Sequence, residues 1–369
     1  MTISINQLKK IFPALKLIDK TPRGMAKVCK TLSVTADGLE GLCFSARDFN
    51  KSLQIFVKDI NYSNFSQISV KFDKFCKVMS SVKDLPSFDK AENGEILLEF
   101  KGGRKISLAN AQLNQMEFAP LECIPDTERQ SWDAKRLLEG LSYCEPVVST
   151  DETRFHLNTI LFSSDGYFVA TDGHRLHRYE YGDCMVNQKQ ESYLVSREAV
   201  KIVQSAIKTC GGASAIVTSI KTQDTIFFEI SGNGLVFKFT SILVDSKFPS
   251  YKAIIPRTWN TKCSVPVNTS NAAFSLLEKL SDTYNYVSEF SINLGAMRIK
   301  GDGVEESIET SMFEGDTIDF GKVGANSKYL KQATANLPGD TVTIKFGAGL
   351  DPIVLEQGKF MAVVMPVRV

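Results

Sequence analysis

Paired cysteines, clustered histidines and a long apolar run are all missing from this chain of 369 residues. Its eight cysteines, at positions 29, 43, 76, 123, 144, 184, 210 and 263, are scattered, with no two close enough for a C-x-x-C knuckle or a zinc ribbon. They read as reduced thiols used as small apolar residues, which excludes a disulfide framework. Among three histidines, His174 and His177 are the one close pair. They fall on a strand pattern with no third ligand placed beside them, so no metal is expected. No apolar stretch approaches the ~20 residues of a membrane-spanning helix, and Met1-Thr2-Ile3-Ser4 runs into a helical pattern without the basic and apolar regions of a signal peptide. A cytoplasmic protein with no membrane partner is expected.

Nucleotide chemistry is missing as well. There is no G-x-x-x-x-G-K-[ST]; the nearest run, Gly315 to Lys322, has the wrong spacing and is followed by Val323. Gly232-Asn233-Gly234 lacks the third glycine and the helix of a dinucleotide fingerprint, and reads as a hairpin turn. No cofactor and no catalytic residue is expected. A formal net charge of +1 speaks against a conventional basic DNA-binding domain. Low-complexity tracts are absent too, so a compact fold is expected throughout.

What is present is a rhythm. Helical patterns begin near Ile5, Phe72, Trp132, Ser196, Ser270 and Asn326, between 56 and 74 residues apart, several with Ser, Asn or Asp where an N-cap would sit. Between them lie alternating segments turned by glycine, such as Glu95–Phe100, Gly102-Gly103, then Lys105–Leu108, and Thr225–Ile230, Gly232-Asn233-Gly234, then Leu235–Phe239. These are antiparallel hairpins, not parallel crossovers. Six units of one helix and three or four strands, taken in pairs, predict an α+β protein of three similar domains, 1–125, 126–252 and 253–369, each with two helices and antiparallel sheets. Pro125-Asp126 and the stretch Pro249 to Pro256 interrupt the pattern where the boundaries fall. The length supports more than one core.

The small net charge is unevenly spread. Residues 5–16, 72–85, 132–143, 196–210, 270–282 and 326–337 together carry +7, which leaves −6 on the rest; the segment 270–282 alone is negative. Helices gathered on one surface would attract a phosphate backbone without reading bases, although lysines also decorate any solvated helix face.

At the middle of the chain, Val169-Ala170-Thr171-Asp172-Gly173-His174-Arg175-Leu176 reads as strand, turn, strand, with Asp172-Gly173 supplying the turn. His174, Arg175 and Leu176 could be plain turn or core residues. This stretch nevertheless resembles the A-T-D-G-H-R-L signature of the bacterial DNA polymerase III β subunit, or sliding clamp, family. Phe248-Pro249-Ser250-Tyr251-Lys252 is similar to that family's F-P-x-Y-[RK] segment, and Val363-Val364-Met365-Pro366-Val367-Arg368-Val369 to its V-V-M-P-M-R-L segment. Length and motif spacing agree over the whole chain.

The resemblance implies a DNA clamp fold closing as a homodimer into a six-domain ring, with the helices lining a channel for double-stranded DNA. Its partners would be the DNA polymerase catalytic subunit, other proteins carrying clamp-binding motifs, and an ATP-dependent clamp loader on another chain; the clamp confers processivity and catalyses nothing. Carried over by position, the partner-peptide cleft maps to Leu157, Thr171, Gly173, His174, Arg175, Leu176, Pro249, Ile254, Tyr329, Val363, Val364, Met365, Pro366, Val367 and Arg368. The DNA-facing set is Lys9, Lys10, Arg23, Lys77, Arg136, Arg154, His156, Arg197, Lys201, Lys208 and Lys331. Closure of the ring requires the first domain of one copy to meet the third of the other. The candidates are Lys74, Val78, Val82, Lys101, Arg104, Lys105, Ile106 and Leu108 on one side and Phe274, Leu277, Leu280, Glu305, Glu306 and Glu309 on the other. Ile106, Leu108 and Phe274 have the alternative of belonging to their own domain cores.

Ala253 stands where the family often has a second basic residue, and Val369 where it has leucine. A clamp-like scaffold with lost or altered peptide binding is therefore a competing expectation. A DNA-directed hydrolase built on Asp172, His174 and His177 is another, from a different class.

Overall fold

A computed structural model describes residues 5–18, 31–37, 41–58, 67–91, 95–109, 129–182, 191–281, 286–348 and 350–369. Helices form where the periodicity placed them: Ile5–Lys9 with Phe12–Ile18, then Phe72–Ser81, Ala134–Cys144, Arg197–Thr209, Val267–Leu280 and Ser327–Thr334. The first is broken in two because Pro13 tolerates only the first turn of a helix and so begins a new one. Arg197–Thr209 shows why such segments are helical: Ala199, Val200, Ile202, Val203, Ala206 and Ile207 form one buried stripe at helical spacing. At Ser327–Thr334 the Asn326 side chain caps the helix by accepting the Tyr329 N–H at 3.3 Å.

The chain divides into two compact bodies. One comprises Met1–Leu138, Cys184–Gln188 and Glu198–Leu243, the other Glu139–Asp183, Lys189–Arg197 and Val244–Val369. The first holds an eight-stranded antiparallel sheet whose spatial order is Gln67–Lys71, Thr31–Asp37, Gly41–Arg47, Lys51–Lys58, Leu235–Ile242, Thr225–Gly232, Ile216–Lys221 and Gln130–Trp132. A separate three-stranded sheet, Ser87–Lys90, Ile96–Glu99 and Lys105–Leu108, belongs to the same body. The turn predicted at Gly232-Asn233-Gly234 is present, with Asn233 and Gly234 at φ 51° and 75°, the left-handed geometry that suits a hairpin.

The second body holds a nine-stranded sheet in the order Tyr193–Ser196, Thr159–Ser163, Tyr167–Thr171, Arg175–Glu180, Phe360–Val364, Ile353–Gln357, Thr341–Phe346, Thr261–Pro266 and Met312–Gly315. It also holds a four-stranded sheet, Val304–Glu309, Ala296–Gly301, Val287–Asn293 and Gly324–Asn326. Each large sheet thus joins strands from two of the three expected segments: Lys51–Lys58 pairs with Leu235–Ile242, and Arg175–Glu180 with Phe360–Val364. Edge-to-edge pairing satisfies backbone groups that two shorter sheets would leave open. The expected boundary at Pro125-Asp126 lies outside the described residues, as do Arg23, Cys29, Cys123 and Cys184.

The described cysteines 43, 76, 144, 210 and 263 are buried thiols that form no disulfide among the described residues, acting as small apolar side chains. His177 is equally buried. Its Nδ1 lies 2.7 Å from the Tyr143 carbonyl, its ring stacks on Tyr143 at 4.4 Å between centroids, and its Nε2 has no hydrogen-bond partner. Burial pushes the imidazole down to about 3, so it stays neutral in the folded protein and takes up a proton near 6.5 once unfolded. The unfolded state therefore binds more protons between those values, and stability contributed by neutral His177 is lost as pH falls below about 6.5. Between pH 6 and pH 5 the wild type should lose about 1 kcal/mol more stability than His177→Gln, read by thermal melting at both pH values. Equal losses in the two proteins would contradict this account.

Candidate partner groove and nucleic-acid face

The central hairpin joins Tyr167–Thr171 to Arg175–Glu180 through Asp172, Gly173 and His174, with the expected Asp172-Gly173 in the turn. Side chains shape the tip. Thr171 Oγ1 accepts the Gly173 N–H at 3.1 Å and donates to the Arg175 carbonyl at 2.6 Å, while Asp172 Oδ1 accepts the N–H groups of His174 and Arg175 at 2.9 and 3.1 Å. Gly173 takes φ 96°, which a side chain would strain. An Asx-type turn is thus locked from within.

The predicted docking of the 363–369 segment on this hairpin is present. Arg175 pairs with Val364 and Leu176 with Val363 in an antiparallel ladder, and the Met365 N–H continues it to the His174 carbonyl at 3.0 Å. The Val367 N–H then reaches the Gly324 carbonyl at 2.8 Å, fixing the segment beyond its strand. Alternation divides its side chains between two cores. Val364 joins the helix-side core with Phe274, Leu330 and Ala362, whereas Val363 joins Leu161, Val169, Leu176, Leu194, Tyr251 and Val354 on the opposite face. Phe248, Ile255 and Trp259 pack over the latter cluster. Lys252 pairs with Asp165 to hold that strap down.

This placement sorts the cleft candidates. Leu157, Thr171, Leu176, Val363 and Val364 are buried, so their side chains belong to the interior. Gly173, His174, Pro249, Ile254, Met365 and Arg368 are exposed, and Tyr329, Pro366 and Val367 half-exposed. Arg175, carried over as a cleft residue, is only 7% exposed. Its Nε donates to Asp172 Oδ2 at 2.9 Å, Nη1 to Gln332 Oε1 and Nη2 to the Pro146 carbonyl at 3.3 Å, while the guanidinium lies 4.2 Å from the Tyr329 ring centroid. Gln332 was not singled out in the sequence. It lies three residues beyond Tyr329 on the same helix face, but nothing local links it to Arg175.

Several basic candidates for the nucleic-acid face are committed to other groups. Arg154 pairs with Asp151 at 3.0 Å, Arg197 with Glu145 at 2.6 Å and Lys331 with Glu278 at 2.7 Å. Lys9 Nζ donates to the Ser80 and Val82 carbonyls at 3.3 and 2.7 Å, tying the first helix to Phe72–Ser81. Each of these four cations therefore has a carboxylate or carbonyl partner at short range. Lys10, Lys77, Arg136 and Lys208 are exposed; His156 and Lys201 are half-exposed.

The expected interface residues divide between core and surface. Phe274 and Leu277 are 0% and 3% exposed inside their own core, and Val82 and Leu108 are buried too. The helix Val267–Leu280 turns Phe274 and Leu277 inward, while its Leu276 and Leu280 are 37% and 46% exposed. Val78 and Ile106 are half-exposed; Lys74, Lys101, Arg104, Lys105, Glu305 and Glu309 are exposed, with Glu306 half-exposed. The histidine pair is not presented together either, since His174 is exposed at the tip while His177 is buried against Tyr143. A hydrolytic centre on Asp172, His174 and His177 has no geometry to support it.

No family model matches the chain. Curated relatives do. The chain is 23% identical over 303 residues to the β sliding clamp of Salmonella typhimurium, covering 75% of this chain and 77% of that protein. It is 25% identical over 312 residues to that of Vibrio cholerae, covering 82% and 81%. Among solved structures, a Pseudomonas aeruginosa sliding clamp superposes with a TM-score of 0.84 at 20% identity, covering 100% and 99% of the two chains. One from Bacillus subtilis gives 0.83 at 16%, covering 100% and 98%. In sequence over most of its length and in fold over all of it, the chain is similar to the bacterial β sliding clamp, the β subunit of DNA polymerase III.

Proposed function

We propose that the protein is a DNA sliding clamp: two copies close into a ring around duplex DNA and present a groove that tethers a DNA polymerase and other replication or repair proteins. The observation that carries this reading is the pairing of Phe360–Val364 and Met365 with the strand that follows the Thr171–Leu176 tip. That pairing builds an apolar surface flanked by exposed His174, Ile254 and Met365, suited to short extended peptides. Because the wall is in place, a scaffold without partner binding is not favoured. The clamp would act by enclosure and tethering, with no chemistry of its own, and a separate ATP-driven loader would open it.

In this reading the chain is organised as three domains, 1–125, 126–252 and 253–369, whose sheets form the outer wall. DNA attraction falls chiefly to the exposed cations Lys10, Lys77 and Lys208, which hold the backbone without reading bases. Enclosure predicts that protein loaded on nicked circular DNA is retained in moderate salt and released when the circle is cut; equal release from circles and linear DNA would defeat the ring. Reversing Lys10, Lys77 and Lys208 to Glu should lower the residual salt-dependent affinity, with a slope change of up to roughly 0.9 per lost phosphate contact.

Two small sheets have strands, Lys105–Leu108 and Val304–Glu309, with one neighbour each among the described residues. Their charges are opposite: Lys101 and Arg104 in the turn before the first, with Lys105 on it, against Glu305, Glu306 and Glu309 on the second. Lys105 and Glu305 also pair with Glu99 and Arg298 in their own sheets. We infer that these edges meet between copies, with Val78, Ile106, Leu276 and Leu280 supplying the apolar contact and the charges setting register. Leu280→Asp combined with Ile106→Asp should give a folded monomer in sedimentation. A double variant that remains dimeric at micromolar concentration would mean that the interface lies elsewhere.

A further inference from the structure

The guanidinium of Arg175 is surrounded by groups that leave little for an incoming partner. Its three nitrogens point at three different elements: Asp172 on the hairpin, the Pro146 carbonyl in the turn Glu145–Val147, and Gln332 on the helix Ser327–Thr334. Its flat face is occupied by the Tyr329 ring, 4.2 Å away. A buried cation with this many partners is expensive to detach, because removal would strand Asp172 and the Gln332 carbonyl without their donor. Lysine could not reproduce the arrangement, since one ammonium cannot spread three in-plane donors and stack at once.

We propose that Arg175 is a positioning residue that does not touch the bound peptide, and that it acts by holding the Tyr329 ring in place at the groove, with Gln332 and Asp172 fixing the guanidinium. This rests on the reading of the groove as a peptide site. Tyr329 is half-exposed on the helix beside the groove, while the strand carrying Arg175 also carries the paired 360–365 segment. The arginine thus ties the groove's aromatic rim to its backbone wall. An aromatic ring held before binding loses less freedom when the peptide arrives, so the arginine contributes affinity through pre-organisation. Tyr329 needs its ring for this and not its hydroxyl, because the contact with Arg175 is with the ring face.

The test is a double-mutant cycle on the full-length protein, measuring affinity for a peptide carrying Q-L-x-L-F. Arg175→Lys should weaken binding on the order of tenfold, Gln332→Ala, which spares the Asp172 ion pair, by a few fold, and Tyr329→Phe hardly at all. In a Tyr329→Leu background, Arg175→Lys should cause little further loss. Melting temperature and sedimentation of each variant separate this from general damage, and the phenylalanine rescue is an effect that mere unfolding would not produce. Additive losses from Arg175→Lys and Tyr329→Leu, or full affinity in Arg175→Lys, would overturn the proposal while leaving the groove intact. If deleting residues 364–369 leaves affinity unchanged, the groove reading itself fails and the positioning role with it.

Discussion

An antiparallel sheet ends in a row of unpaired backbone groups, and the architecture of this protein follows from where those rows are closed. Lys51–Lys58 closes on Leu235–Ile242, and Arg175–Glu180 on Phe360–Val364, so segments far apart in sequence become neighbours through main-chain hydrogen bonds. These joins make each large sheet longer than any one hairpin repeat could supply. They also explain why the chain separates into two bodies, each drawing on two of the repeat pairs. In the proposed ring, the edges at Lys105–Leu108 and Val304–Glu309 are the rows that a second copy would close.

The second of these joins also builds the candidate site. Pairing puts Val363 and Val364 on opposite faces, so the strand beside the candidate site is anchored in two cores at once. Rigid backbone at a recognition surface lowers the ordering loss on binding. Polar groups at the hairpin tip complete the job: Asp172 caps two backbone N–H groups with one oxygen and holds Arg175 with the other. Arg175 and Asp172 are therefore held to each other and to the backbone, while Ile254, Met365 and His174 stay exposed and Tyr329 half-exposed.

The same economy governs the helix cations. Carboxylates and carbonyls nearby claim Arg197, Lys331 and Lys9, so part of the helices' summed charge is met at short range. Sequence counts formal charges, whereas attraction of a polyanion depends on those not already neutralised at short range.

Much of the fold was legible because it is written locally. Helical stripes such as Ala199 to Ile207, the Asn326 cap and the Asn233-Gly234 turn depend on residues within a few positions of one another. The three motif stretches around Thr171, Phe248 and Val363 likewise located the candidate groove and its docked strand. What only the tertiary structure decided is which side of an element meets which neighbour. Phe274 and Leu277 turned out to be core and Leu276 and Leu280 surface, because a helix's outward face is defined only by what covers the other one. Arg175 found its partners at positions 146, 172, 329 and 332, of which only Asp172 is local; long-range contacts of this kind have no period and leave no mark in the sequence before the chain has folded.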